Sequence, residues 1–114
     1  MIKGTNALRL TLAGSLLVLS GSAASWAAEA KAGKATYDKL CASCHGADGK
    51  GNPAIAKTMG EKGLNLTTKE AQGKKDDELL KIISQGEGKM PASGKNLSKQ
   101  EQADVLAYVR SLGK

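Results

Sequence analysis

Cys41-Ala-Ser-Cys44-His45 gathers both cysteines and the only histidine of the chain into five consecutive residues. Whatever the chain folds into must be arranged around that cluster. Tyr37, Leu40, Cys41 and Cys44 recur at the spacing of one helical face, so residues 33–45 are expected to form a helix that shows both sulfurs on its apolar side. A disulfide between the two cysteines would bridge neighbouring turns of one helix and constrain little. The redox Cys-x-x-Cys motif also belongs with a βαβ pattern, and nothing here reads as a confident strand. A closed zinc site wants four Cys or His ligands, and the chain has three such residues in all.

A third reading uses every member of the cluster, because Cys-x-x-Cys-His is the attachment signature of c-type haem. Residues i and i+3 are neighbours on a helix, so the two thiols can reach two vinyl groups on one porphyrin edge. His45, next in line, is then placed to ligate the iron. With no second histidine, the opposite axial ligand has to be sought in Met90, Met59 or a lysine. Met90 lies in the Gly- and Pro-bounded stretch "GEGKMPASG", far enough along the chain to pass around the ring. Thioether ligation raises the reduction potential and fills the sixth position.

Composition agrees with a cofactor that completes the core. The chain has no phenylalanine, one tryptophan and two tyrosines. Residues 1–30 carry Lys3 and Arg9, then an apolar run, then small residues, the order of a secretory signal peptide with cleavage after Ala27 or Ala30. Trp26 falls in or beside it, which leaves Tyr37 and Tyr108 as the aromatics of residues 31–114. A domain of that size has a marginal core and usually needs a staple. The apolar run is too short and glycine-broken for a comfortable membrane span. The net charge is +6, which favours acidic partners. The lysines are scattered without arginine clusters or interleaved aromatics, which argues against nucleic acid.

Residues 46–75 are rich in Gly, Asn and Lys and read as loops, with short helical turns such as 54–59. Residues 76–85 read as a helix with an acidic first turn and an apolar face of Leu79, Leu80, Ile82 and Ile83. Residues 98–112 form the strongest helix, opened by a capping box of Ser98 and Glu101. The fold class is all-α: three main helices joined by long loops, which are uncommon in a compact domain unless functional.

Over essentially all of residues 31–114 the sequence resembles the small, single-haem class I c-type cytochromes of the bacterial periplasm. "GKATYDKLCASCHG" is similar to that family's N-terminal helix and haem motif, with Gly33 and Tyr37 matching its small residue and aromatic. "ADVLAYVRSL" is similar to its C-terminal helix, with Tyr108 as the aromatic. The resemblance implies a class I cytochrome c-like fold wrapped around one covalent haem c with iron, in which these two helices cross closely. It implies thioethers from Cys41 and Cys44, axial ligands His45 and Met90, a Pro53 carbonyl accepting from His45, and a shaping role for Pro91 in "KMP". The missing Trp and Phe depart from the family and leave the cover of the propionates unassigned.

The function so implied is one-electron transfer by a soluble, monomeric periplasmic carrier that docks briefly with acidic redox partners. Lys50, Lys57, Lys62, Lys89 and Lys95 flank the expected haem loops and are candidates for the docking face. Two other classes remain in view. One is a haem-containing subunit of a larger oxidoreductase. The other is a haem enzyme or gas sensor with a labile sixth ligand.

Overall fold

The structure, a computed structural model, describes Gly14 and residues 22–114. Apart from Gly14, the expected leader lies outside it up to residue 21. Residues 22–30 form the first turns of α1 (Ser22–Leu40). The other helices are α2 (Ala42–His45), α3 (Pro53–Met59), α4 (Lys69–Gln72), α5 (Asp76–Gln85) and α6 (Lys99–Leu112). Among the described residues no strand forms, and one isolated bridge pairs Glu87 with Met90.

The first helix departs from expectation at both ends. Alanines at 23, 24, 27, 28 and 30 continue it upstream of residue 33, since alanine is the strongest helix former. An ion pair of Lys34 with Asp38 at 2.7 Å, one turn apart, adds a little on the exposed face. Downstream, the helix stops at Leu40. Cys41 interrupts it, and the N–H groups of Cys44 and His45 both turn back onto the Cys41 carbonyl at 3.2 and 3.0 Å.

α1 and α6 cross at closest contact where Gly33 meets the backbone of Asp104. A Cβ on Gly33 would overlap the Asp104 carbonyl, so only glycine permits this approach. Tyr37, one turn further on, is fully buried. Its ring packs on Tyr108 with centroids 4.9 Å apart and planes tilted by 58°. Such a pair contributes about 0.5–1.5 kcal/mol beyond its area. Val105, Leu106, Val109 and Ile83 complete the core.

α6 opens with the expected capping box, Glu101 N–H donating to Ser98 Oγ and Ser98 N–H to Glu101 Oε1, each at 3.1 Å. α5 carries Asp76, Asp77 and Glu78 in its first turn, where the helix dipole favours negative charge. Its Ile83 carbonyl accepts from Gly94 N–H at 2.8 Å, which fastens the Met90 turn back onto α5. α4 was not expected. It is a single turn capped by Thr68, whose Oγ1 accepts from Ala71 N–H at 3.1 Å.

Two polar side chains tie the 64–76 segment to α6. Gln72 Nε2 donates to the carbonyls of Leu66 at 2.7 Å and Val109 at 3.0 Å. Arg110 reaches the carbonyls of Gln72 and Lys74 at 2.6 and 2.5 Å and Asp76 Oδ1 at 2.7 Å. The loops are therefore held in place by α6, and they in turn position the site.

Candidate functional site

Cys41, Cys44 and His45 share one turn of backbone that rests on the core. Cys41 packs directly against the core cluster and is half-buried, as is Cys44. Both are free thiols. Burial, and then the neighbouring Cys44, push the Cys41 thiol above its ordinary pKa.

The His45 ring is buried, at 8% exposure. Its Nδ1 lies 2.9 Å from the Leu64 carbonyl. A carbonyl can only accept, so Nδ1 carries a proton, and in the neutral ring the lone pair is then on Nε2. This is the arrangement of a metal-ligating imidazole, whose other nitrogen is fixed by an outer hydrogen bond.

That bond corrects one expectation. The acceptor is Leu64, not Pro53. Pro53 opens α3, where proline is favoured because its missing N–H is not needed. Its carbonyl therefore points along the helix, and its exposed ring borders a surface cleft of about 380 Å³ shared with Lys50, Asn52 and Asn65. Leu64 reaches His45 because its segment is pinned nearby, Leu66 N–H donating to the Gly49 carbonyl at 2.7 Å. Gly51 makes the intervening turn possible. It has φ +99° and its N–H donates to the His45 carbonyl at 2.7 Å.

Tyr37 supports the site from behind. It is covered by protein on all sides, and its hydroxyl donates to the Gly46 carbonyl at 2.7 Å. Tyr108 sits beside it, partly buried. Met90 is half-buried in the turn between α5 and α6, with its N–H and carbonyl both exchanged with Glu87 at 2.9 and 3.1 Å. Pro91 follows it at the surface. Met59 is at the end of α3 and 38% exposed. Lys89 Nζ donates to the Met59 carbonyl at 3.1 Å, so the structure brings the Met90 turn and the end of α3 together. Lys50, Lys57, Lys62, Lys89 and Lys95 are all exposed.

Leu64, Asn52, Gln72 and Arg110 were not singled out by sequence. Asn52 had a local signal, an Asn-Pro pair of the kind that opens a helix. Leu64 had none, because it contributes a backbone carbonyl.

Two thiols three residues apart and an imidazole with a free Nε2, all on one turn, fit a covalent haem: sulfur for the vinyl edge and nitrogen for the iron. Comparison with known proteins agrees. Residues 28–109 match the family model described as "Cytochrome C oxidase, cbb3-type, subunit III", and the chain belongs to this cytochrome c family. Its cofactor is accordingly haem c with iron, and its general chemistry is haem electron transfer.

The chain is 36% identical over 106 residues to cytochrome c-555 of Chlorobaculum tepidum, covering 86% of this chain and 88% of that protein. It is 33% identical to cytochrome c6 of a Picosynechococcus species over 74% of each. It is 35% identical to the cbb3-type cytochrome c oxidase subunit CcoP of Azospirillum brasilense over 76% of this chain, but spans only 30% of that subunit. No solved structure matches. Among the described residues, no helix is long and apolar enough to cross a membrane.

Proposed function

We propose that this protein is a soluble periplasmic one-electron carrier, not an enzyme. Its haem c is held by thioethers from Cys41 and Cys44, with His45 and Met90 as the axial ligands. The observation that carries this reading is the single turn with two free thiols and a buried imidazole whose Nδ1 is already bonded to the Leu64 carbonyl. The haem supplies a one-electron ferric–ferrous couple. The chain's own residues do the rest. The Leu64 carbonyl raises the basicity of His45. The Glu87–Met90 exchange holds the thioether's turn, and Pro91 shapes its exit. A thioether that fills the sixth position keeps small ligands out and the potential high.

Residues 1–30 serve as an export signal in this reading, removed after Ala27 or Ala30. The exposed lysines at 50, 57, 62, 89 and 95 meet an acidic face on the redox partner, and steering by opposite charge keeps encounters fast and brief. Residues 31–114 act as a monomer.

Optical spectra of the purified holoprotein test the assignment. Covalent haem that survives acid-acetone, with a sharp reduced α-band and the weak far-red thioether–iron band when oxidised, is the expected result. Met90→Ala should abolish the far-red band and Met59→Ala should keep it. Colour without that band, together with CO binding, would refute the carrier reading. A second reading is favoured by the matches to an oxidase subunit: a donor module within a larger oxidoreductase. Copurification with a membrane complex from the native host would select it.

A further inference from the structure

Asn52 has every polar group engaged, and its bonds run in two directions. Its backbone N–H donates to the Cys44 carbonyl at 2.9 Å. Its side-chain Nδ2 donates to the Ser43 carbonyl at 2.9 Å. Both acceptors lie at the end of α2, where helix carbonyls have no partner of their own. In the other direction, Asn52 Oδ1 accepts from Ala54 N–H at 2.9 Å and its carbonyl accepts from Ala56 N–H at 3.0 Å. The first bond satisfies a free amide at the start of α3, and the second is that helix's first backbone bond. The orientation of the amide is fixed by chemistry: a carbonyl on one side requires NH₂, and an N–H on the other requires oxygen. Asn presents a donor and an acceptor together on one short planar side chain.

We propose that Asn52 is a positioning residue for the haem site. It locks the backbone that carries Cys44 and His45 by stapling the open end of α2 to the start of α3. The inference rests on His45 as an iron ligand. Gly51 adds the neighbouring bond to the His45 carbonyl. Three successive carbonyls, from Ser43 to His45, are thus held by two adjacent residues, and the imidazole leaves the backbone from a fixed peptide. Helix capping alone would not require this, because Ser or Asp would cap α3 as well.

That difference supplies the test. Asn52→Ser keeps an acceptor for the start of α3 but cannot reach the Ser43 carbonyl. Asn52→Ala loses both bonds. Thr68→Ala removes a cap of similar kind from α4 and touches none of the Asn52 bonds, as a control. Proton NMR of the ferric holoproteins reads the shifted haem methyl and imidazole resonances, and far-UV circular dichroism reads helix content. Asn52→Ser and Asn52→Ala should both displace the shifted resonances or reduce the fraction of folded chain carrying covalent haem. Thr68→Ala should do neither. An Asn52→Ser protein with the wild-type resonance pattern and haem content would overturn the proposal and leave Asn52 as a cap. So would loss of all helix in Asn52→Ser while Thr68→Ala folds. A wild-type spectrum with no shifted imidazole would instead overturn His45 as ligand.

Discussion

Gly33 and Tyr37 mark how little room single residues have at the helix crossing. A methyl group on Gly33 falls on the Asp104 carbonyl, so Gly33→Ala must part α1 from α6. A loss of about 1–3 kcal/mol is expected from such overpacking, read by denaturant unfolding. Tyr37→Phe keeps the ring and removes one hydrogen bond. Gly46 O still accepts from Gly49 N–H at 3.1 Å, so the expected cost is about 1 kcal/mol. Its pH signature is sharper. Burial raises the Tyr37 hydroxyl far above its ordinary value of 10.0. The folded state therefore holds this proton more tightly than the unfolded state. Its contribution is complete below about pH 10 and is lost as pH climbs through the folded value. Tyr37→Phe should flatten the alkaline decline of stability, measured by unfolding at a series of pH values. The cluster at 41–45 could be read from the sequence because its chemistry lies in residue types at fixed spacing. The partner of His45 could not be, since a carbonyl from Leu64 has no letter of its own.

At the scale of elements, α5 and α6 were legible because their signals are local: acidic residues in one first turn, a Ser–Glu box in the other, and an apolar stripe in each. The start of α1 was not, because Gly33 reads as a helix boundary unless the backbone of a distant helix is known to touch it. α4 was missed because one capped turn within a Gly- and Lys-rich stretch carries no periodicity. Arg110 shows what fixes such a stretch. Its guanidinium spans two carbonyls and Asp76. The ion pair itself counts for little because the Asp76 side chain is 62% exposed. The bonds to the carbonyls carry the stabilisation. Arg110→Lys retains the charge but not the fork, and should cost about 2 kcal/mol, the value of charged hydrogen bonds. Hydrogen exchange should quicken first in residues 66–76.

For the whole molecule, the core among the described residues is Tyr37, Ile83, Val105, Leu106 and Val109, with half-covered apolar groups around it. So few buried side chains leave a domain of this size marginal. A Cys41→Ser/Cys44→Ser protein without covalent haem should melt well below the holoprotein and bind hydrophobic dyes, as calorimetry and dye fluorescence would record. The crossing of α1 with α6 has one more effect. It joins the two ends of the described chain, so every residue from 33 to 104 must have been made before Asp104 can meet Gly33. Until then the core cannot close, because Val105, Leu106 and Val109 all come from α6.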